Sequence, residues 1–395
     1  MNILVGLAIG SAVAIALILL LWLLFELQFA SRQGNLLELD SGTWEFTAYE
    51  PNFYQLQLTF TATNYTDRLD VFLTEVRPEV TLLSSGSLDR VIQTVKLRAD
   101  HENVPSRTDN YWEAYIVKPG EQTKLEIQLD LQGEELESLK TAWLRIHYVA
   151  YGPEGRTQKL RHCIVPLQFP DTQQRERWRP TKDADVLPIR THILSVLDTP
   201  VEAIQRYVTD HAQAGDIVTI AETPVAIMQG RWRHPSDVKP GWLAKRLCYY
   251  FQSTSSLATA CGLQVLVDES GAWRVAIAFI LGAFAKAIFR FPGLFYILAG
   301  EQARLIDDVT GTLPPYDQFI VLGPDRPQSV VDQIKAETGL EAAIVDVNDL
   351  KRVKVLAATG GVSEKLLNQA LLLNPAGNAS EQTPIVLIRP NVIGL

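Results

Sequence analysis

The N-terminal stretch Met1 to Phe25 constrains the fold of this chain more than any other feature. It is an uncharged run of about 25 residues, mostly Leu, Ile, Ala and Val, and a helix of that length crosses the ~30 Å hydrocarbon core of a bilayer. A cleaved signal peptide is the alternative, but no Lys or Arg precedes the run, and it exceeds the roughly 7 to 15 apolar residues of a signal core. The sequence therefore predicts a transmembrane anchor over residues 1–30.

The charges beside this run predict its orientation. Lys and Arg close to a span tend to stay in the cytoplasm, and Arg32 is the first such residue after the run. The three cysteines, Cys163, Cys248 and Cys261, show no C-x-x-C metal spacing and no disulfide-rich pattern, which fits a reducing compartment. We therefore expect a single-pass membrane protein that contacts lipid through its N-terminal helix and keeps its soluble domains in the cytoplasm.

Residues 36–170 consist of short alternating segments such as YQLQLTFTAT, TKLEIQLDL and AWLRIHYVAY, separated by turn residues. Alternation with turns at this spacing predicts an all-β, sandwich-like domain, which could also offer a surface to a protein partner. Its tryptophans at positions 44, 112 and 143 are typical of core or rim packing. His147 and His162 have no carboxylate at a convincing spacing, so we interpret both as structural or surface residues.

The next segment, PDTQQRERWRPTKDAD, is polar and flanked by proline, which predicts a solvated linker over residues 171–185. A net charge of −9 and a sequence pI of about 5.3 argue against a general nucleic-acid binder, because neutralising phosphates needs a concentrated basic face. The local exception is the basic cluster from Arg231 to Arg246. It could contact lipid headgroups, bind an anionic ligand or be an ordinary solvated surface.

Val275 to Ala285 is a second apolar run, bounded by Arg274 and Lys286. At about 11 uncharged residues it is too short to span a bilayer. Gly282 and several alanines favour a closely packed internal helix. Phenylalanines beside the cations also suit a segment that lies on the bilayer surface, and both interpretations stay open here.

From residue 186 to 395 the apolar patterns alternate between helix and strand, which predicts an α/β (α+β) domain. Pro200 begins a helical pattern, and Ile217 to Ile220 is a β-branched run typical of a buried strand. Ala342 to Val345 predicts another strand that delivers Asp346 at its end, where open α/β sheets often place ligand-binding groups. Ile385 to Ile388 is the last predicted strand.

The stretch GDIVTIAETPVAIMQGR, residues 215–231, predicts a candidate site within this domain. A turn and a buried strand lead to Gln229-Gly230-Arg231, where a flexible backbone lies beside a permanent cation. Such places attract anions. The alternative is an ordinary strand and turn with a surface arginine.

Several motifs resemble the coenzyme F420-0:L-glutamate ligase (γ-glutamyl ligase) family. They are VLPIRTHILS before a helix, GDIVTIAETPVAIMQGR, AG followed by LPPYD, EAAIVDVND and the closing TPIVLIRPN. They extend from about Val186 to Asn391, which is roughly half of the chain. The resemblance implies the F420 γ-glutamyl ligase fold for residues 186–395, and an activity that forms an amide bond with glutamate and depends on GTP and a divalent metal.

The resemblance also implies roles for particular residues. It implies nucleotide contacts from Thr223, Gly230 and Arg231. It implies a metal ligand at Asp346, with Glu301 and Glu381 close to the other two acidic ligand positions. The chemistry needs such groups, because hard ions such as Mg²⁺ or Mn²⁺ take oxygen ligands and offset the charge of nucleotide phosphates.

The sequence departs from the family at several of these positions. Gln302 occupies one acidic ligand position, an amide in the loop 377–382 occupies another, and Ile227 replaces a nucleotide-contacting lysine. An amide offers a metal only a dipole, whereas a carboxylate offers a full charge. Two functions therefore remain open. One is a GTP-dependent γ-glutamyl ligase-like enzyme using Mg or Mn, and the other is a non-catalytic membrane-anchored binding or assembly protein, without cofactors, that keeps the ligase-like fold.

Overall fold

The computed structural model describes residues 2–31, 34–101, 107, 109, 111–172, 177–253, 255–291, 293–308, 313–348, 352–377 and 381–391. The N-terminal run forms one helix, α1, Asn2–Ala30. Within it, Ala8–Phe29 is apolar and long enough to cross a membrane, and none of that span is buried against the rest of the chain. The predicted apolar helix is therefore present.

A β-sandwich follows, made of two antiparallel sheets. Its first sheet has the order β1-β3-β7-β5 with β2 also paired to β3, and its second has the order β6-β4-β8-β9. The strands are β1 Leu37–Leu39, β2 Thr43–Glu50, β3 Phe53–Asn64, β4 Val71–Ser84, β5 Val91–Asp100, β6 Tyr115–Val117, β7 Gln122–Gly133, β8 Leu139–Gly152 and β9 Gly155–Pro166.

The period-2 pattern explains why this sandwich forms. In β3 every second residue is buried, including Leu56, Leu58 and Phe60, so one face of the sheet enters the core between the two layers. Trp112 lies in this core, and its indole Nε1–H donates to the carbonyl of Leu73 at 3.1 Å. The sandwich-like domain predicted from alternation is thus confirmed.

The remaining chain combines helices with short and long strands. In chain order these are β10 Arg179–Pro180, β11 Ala184–Ile189, α2 Pro200–Tyr207, β12 Ile217–Ala221, α3 Glu222–Met228, β13 Trp232–Arg233, α4 Trp242–Leu247, α5 Ala260–Ser270, α6 Ala272–Phe289, α7 Leu294–Ala299, α8 Gln302–Leu305, β14 Asp307–Asp308, β15 Ile320–Val321, α9 Pro327–Thr338, β16 Glu341–Asn348, β17 Arg352–Ala358, α10 Glu364–Leu371 and β18 Ile385–Pro390.

A six-stranded mixed sheet organises this C-terminal region. Its order is β10-β11-β18-β12-β16-β17; β12 and β16 run parallel, and the other neighbours are antiparallel. Helices α2 and α9 pack on one face and α10 on the other, so the sheet is buried on both sides. Part of the segment predicted as a linker is sheet, because Arg179 and Pro180 of β10 pair with residues 186 and 185 of β11.

Helix α2 begins where the sequence predicts, and its cap explains why. The Thr199 hydroxyl accepts from the Glu202 amide, and the Glu202 carboxylate accepts from the Thr199 amide, which forms a capping box. Pro200 occupies the first turn, where its missing N–H leaves no hydrogen bond unmade. The helix ends at Tyr207.

A helical subdomain, α4 to α8, lies beside a three-stranded sheet of order β13-β15-β14. Within α6 only a stripe of small residues, Val275, Ala278, Gly282 and Ala285, is buried. Just 22% of this apolar helix is buried in the protein. Close internal packing is therefore limited to this stripe, since most of the large apolar side chains face outwards. The expectation that the run is too short to span a bilayer is wrong, because the helix extends over Ala272–Phe289 and is long and apolar enough to cross one.

The sandwich and the C-terminal region share a small apolar core. Ile164 of β9 packs with Ile227 of α3 and with Phe319, which precedes β15. Trp143 of β8 contacts Phe319 edge to face, with ring centroids 5.6 Å apart. The sandwich is thus packed directly onto the region that carries the predicted site.

Candidate functional site

Arg231 follows the strand-helix unit β12–α3 and begins the return into β13. Gly230 adopts a left-handed conformation, with φ of +69°, and the Arg231 amide donates to the carbonyl of Ala226 at 2.9 Å. The guanidinium turns inwards: Nε donates to the carbonyl of Gly323 at 2.7 Å, and Nη2 to a carboxylate oxygen of Glu269 at 2.7 Å. Only 18% of the Arg231 side chain is exposed. The predicted anion-binding cation is therefore engaged within the protein.

Gln302, at a position the resemblance assigns to an acidic metal ligand, reaches the same glycine. Its Oε1 accepts from the Gly323 amide at 2.9 Å, and its Nε2 donates to the Gly323 carbonyl at 3.4 Å. A side-chain amide can serve both backbone groups, whereas an ionised carboxylate can only accept. Gly323 must also be small, because a Cβ there would lie 2.6 Å from the Cβ of Leu305.

Two further positions compared with the family lie within α3. Thr223 is half-buried in the first turn of α3, whose N-terminal residue is Glu222. Ile227, at the position of the family's lysine, is buried in the small core shared with Ile164 of the sandwich. The structure thus brings Gly230, Arg231 and Gln302 to one end of α3, and it uses Ile227 for packing.

The three predicted metal ligands lie on three separate elements. Asp346 is within β16, not at its end: it pairs directly with Lys354 of β17, and the strand continues for two more residues. Glu301 is exposed just before the one-turn helix α8. Glu381 is exposed, and its carboxylate lies against Gly377. The expectation of Asp346 at a strand end is wrong because the β16–β17 hairpin extends past it.

Within the described ranges, no three His, Cys, Asp or Glu side chains form a group that could hold a metal ion. Residues 378–380, which belong to the predicted acidic loop, lie outside the described part of the chain. Metal binding at Asp346, Glu301 and Glu381 therefore stays a prediction.

His162, which the sequence indicates to be a structural or surface residue, is buried on the sandwich side of the shared core, against Phe319. The Trp143 indole Nε1–H donates to His162 Nδ1 at 3.2 Å. Since an indole can only donate, this Nδ1 carries a lone pair and the proton of the neutral ring is on Nε2. Nε2 lies 3.6 Å from an Asp237 carboxylate oxygen and makes no hydrogen bond to any described group.

The surroundings of His162 keep its ring neutral. Burial is the largest cause of this effect. Electrostatic repulsion from the neighbouring basic side chains acts in the same direction, so the pKa of His162 falls to about 3; these side chains are His234, Arg145, Arg161 and His147. Because a neutral imidazole carries no charge, the 3.6 Å approach to Asp237 is not an ion pair.

A second buried polar network fixes the loop between β11 and α2. His192 Nε2 lies 2.9 Å from Asp198 Oδ1, and His192 Nδ1 lies 2.7 Å from the Tyr207 hydroxyl. Asp198 Oδ2 accepts from the amide of Ser195 at 2.8 Å and from its hydroxyl at 3.0 Å. Burial acts to raise the pKa of Asp198, but the hydrogen bonds and charge of its partners outweigh burial, and the net effect lowers it.

Beside this network is a basic cleft, lined in part by residues of the predicted linker. Its volume is about 470 Å³, and Arg177, Arg179, Arg190, Tyr207 and His211 are among its lining residues. Two of these arginines donate hydrogen bonds within the protein. Arg179 donates to the Pro375 carbonyl and Arg190 to the Gln382 side-chain oxygen, each at 3.2 Å. The arginines of the RERWRP motif were the available signal, but the sequence did not show that β10 folds back against β11.

These observations define a class: a chain with an apolar helix long enough to span a membrane, an immunoglobulin-like antiparallel sandwich and a mixed α/β region packed onto it. Residues 38–169 match the family described as F420-0:gamma-glutamyl ligase, N-terminal Ig-like domain. The resemblance to the F420 ligase family is thus confirmed through the sandwich. The match does not extend to residues 186–391, where the motifs lie.

No curated protein matches this sequence. Among solved structures, the chain is similar to the putative ApaA protein from Bordetella pertussis, at 11% identity and a TM-score of 0.20, covering 33% of this chain and 94% of that one. It is also similar to the GAE domain of GGA2p from Saccharomyces cerevisiae, at 10% identity and a TM-score of 0.20, covering 34% and 94%. A protein from Archaeoglobus fulgidus matches at 14% identity and a TM-score of 0.16, covering 33% and 97%. At these TM-scores the likenesses carry no further conclusion.

Proposed function

We propose that this chain is a membrane-anchored binding or assembly protein that keeps a ligase-like fold in residues 186–395. In this proposal α1 holds the protein to lipid, the two following regions lie in the cytoplasm, and the sandwich contacts a protein partner. The observation that carries the proposal is the convergence of Arg231 and Gln302 on the backbone of Gly323.

In this structure, Arg231 and Gln302, which the resemblance assigns to the nucleotide and metal sites, make hydrogen bonds that hold the protein's own backbone. To contact a phosphate, Arg231 would have to give up its bonds to Gly323 and Glu269, and breaking a partly buried, charge-assisted hydrogen bond costs about 1.5 to 3 kcal/mol. Gln302 suits the two backbone groups of Gly323 better than the carboxylate that a metal site would need. Ile227 contributes an apolar side chain to the core shared with the sandwich, where a lysine would have to bury its charge.

The second candidate is a GTP-dependent γ-glutamyl ligase-like enzyme, which the match over residues 38–169 favours. In that case Arg231, Thr223 and Gly230 would contact the nucleotide. Asp346, with Glu301 and Glu381, would hold Mg²⁺ or Mn²⁺. The metal would offset phosphate charge during the transfer that activates a carboxyl group for amide formation with glutamate.

Thermal unfolding of the full chain in detergent, with GTP or ATP and with MgCl₂ or MnCl₂, separates the two candidates. A ligand that binds the native state at a hundred times its Kd stabilises it by about 2.7 kcal/mol, which is a readily measured shift in Tm. The binding or assembly proposal expects an unchanged Tm at millimolar nucleotide and metal.

The substitution Asp346→Asn gives this experiment a second readout, with Asp332→Asn on the exposed face of α9 as the matched control. We expect superimposable metal titrations for wild type and both variants, and stability changes within about 0.5 kcal/mol. A nucleotide- and metal-dependent rise in Tm that Asp346→Asn alone abolishes would overturn our proposal in favour of the ligase.

A further inference from the structure

Helix α6, Ala272–Phe289, and the short helix α7, Leu294–Ala299, pack against each other as a hairpin that presents a broad apolar surface to the outside. Its buried stripe consists of small residues, so nearly every large apolar side chain on α6 points away from the protein core. A helix that is apolar on most of its faces is typical of a membrane or a buried position rather than of water. The exposed side chains are those of Trp273, Ile277, Ile280, Leu281, Phe284, Ile288, Phe289 and Ile297.

The hairpin leaves the protein core and returns to it on the same side. Gly282 packs against Phe295 so closely that a Cβ at Gly282 would lie 2.9 Å from the Phe295 Cβ. Nearer the core, Arg274 Nε donates to the carbonyl of Leu298 at 2.9 Å, and Ala299 is already buried in the helical subdomain. Arg274 lies near the start of α6, and Lys286 and Arg290 lie at its end. Cations at both ends of the apolar surface suit a helix that lies along the bilayer interface.

Positive charges predominate around the hairpin. Residues 238–300 contain six Lys and Arg and only two acidic residues, in a chain whose net charge is −9. Both acids are paired with arginines, Asp268 with Arg233 and Glu269 with Arg231. The cations beside the apolar surface, including Lys286 and Arg290 at the exposed end of α6, therefore suit anionic headgroups.

Aromatic side chains border the same surface. Trp242, Tyr249 and Tyr250 are each at least 70% exposed, and the Tyr250 ring lies 5.4 Å from that of Phe279 on α6. Trp and Tyr are enriched at the boundary between headgroups and acyl chains, where one end of the ring is apolar and the other polar. The contact with Phe279 places the Tyr250 ring beside the apolar surface of α6.

We propose that the hairpin is a second membrane attachment, which inserts the apolar side chains of α6 into one leaflet of an anionic bilayer while Lys286 and Arg290 contact phosphates. A second copy of this chain fits the surface less well, because pairing two such faces would bring their cations together. Attachment at two points would fix the orientation of the α/β region relative to the membrane, whereas α1 alone would leave it tethered.

The test uses the full chain in vesicles of phosphatidylcholine with phosphatidylglycerol, with a specific protease site placed after Ser31. Before cleavage, pelleting of the triple hairpin variant described below reports the anchor α1, because its hairpin binds weakly. After cleavage, the distribution of the released part between vesicles and supernatant in high salt reports the hairpin alone, because salt weakens electrostatic contacts but not apolar insertion. Failure of the anchor and failure of the hairpin are therefore distinguishable.

We expect the cleaved wild type to stay with the vesicles in 1 M salt. The triple variant Phe284→Ser, Ile288→Ser and Phe289→Ser should partition at least about a hundredfold less, since burying each such side chain is worth roughly a factor of ten or more. The matched control places three serines at exposed apolar positions of the sandwich, Tyr65, Ile92 and Ile116, and should behave as wild type.

Two results would overturn the proposal. One is release of the cleaved wild type into the supernatant as a monomer. The other is its release as a dimer that the triple variant cannot form, which would assign the surface to a second copy. Far-ultraviolet circular dichroism of the triple variant establishes that its loss of binding is not a loss of folding.

Discussion

His162 should make the stability of this protein depend on pH between 7.5 and 5. The unfolded chain has an ordinary histidine pKa near 6.5, whereas burial holds the pKa of folded His162 at about 3. Because the folded pKa is the lower one, the unfolded chain binds the proton first. The stabilisation is fully present above pH 6.5 and is lost as the pH falls towards 3.

The size of the effect follows from those two pKa values. Linkage gives a loss of about 2 kcal/mol between pH 7.5 and pH 5 from this one residue. The structural reason is specific: a second proton must go to Nδ1, which would remove the acceptor of the Trp143 indole N–H. The resulting cation would lie in a buried site whose neighbours include Arg145 and Arg161, with Asp237 the nearest acid.

The assay is urea denaturation of the full chain in a non-ionic detergent, followed by tryptophan fluorescence at pH 7.5 and 5.0. His162→Gln keeps an acceptor for Trp143 but cannot titrate, so about 2 kcal/mol of the pH dependence should disappear. His147→Gln, on the neighbouring strand and half-exposed, is the matched control and should retain the wild-type dependence. Burial also lowers the pKa of His101 and of His234, so some dependence should remain in every variant. Equal pH dependence in wild type and His162→Gln would refute the reasoning.

Three further predictions concern contacts described above. Arg231→Met should lower the free energy of unfolding by about 1 to 3 kcal/mol, because the hydrogen bonds to Gly323 and Glu269 are lost. Arg326→Met, at an exposed site, should change it by less than about 0.5 kcal/mol. Equal unfolding midpoints for the two variants would contradict this prediction. Asp198→Asn should lower the free energy of unfolding by about 2 kcal/mol at pH 7. Because the pKa of Asp198 is lowered in the folded protein, its stabilisation is lost on protonation, and wild type and variant should become equally stable as the pH falls below about 4. A stability difference that persists at pH 3 would count against the network. Gly282→Val should lower the free energy of unfolding by about 1 to 3 kcal/mol, because the added side chain overpacks against α7. Ala283→Val, at the next and exposed position of α6, should have no such effect. Identical melting curves for the two variants would show that α7 does not pack closely on α6.

Local pattern predicted much of this fold because local physics decides it. The strands of the sandwich alternate so regularly that β3 buries every second side chain as the sequence indicates. Strand β12 and helix α2 also lie where the pattern predicts, since a capping box and a β-branched run are short-range signals. The apolar composition of α6 was equally visible, but composition does not say which faces find a partner within the protein.

The candidate site was harder to predict because its contacts are between distant parts of the chain. Arg231 bonds to Gly323, 92 residues further on, and nothing near Arg231 indicates that its guanidinium is already occupied. Asp346 was placed at a strand end because the apolar run stops at Val345, yet pairing with β17 carries the strand further. The basic cleft depends on β10 returning to β11, a pairing of only two residues that leaves almost no pattern.

Strand β18 lies in the middle of the six-stranded sheet, between β11 and β12, although it follows β11 by roughly two hundred residues. Until residues 385–390 take their place, β10–β11 and β12–β16–β17 are separate fragments, each with an apolar edge that lacks its neighbour. Closing the sheet therefore requires a very distant pairing, which should make this region slow to fold and dependent on chaperones during synthesis. A chain interrupted before residue 385 would present two open strand edges to other chains, so even a short C-terminal loss should produce aggregation instead of a smaller working protein.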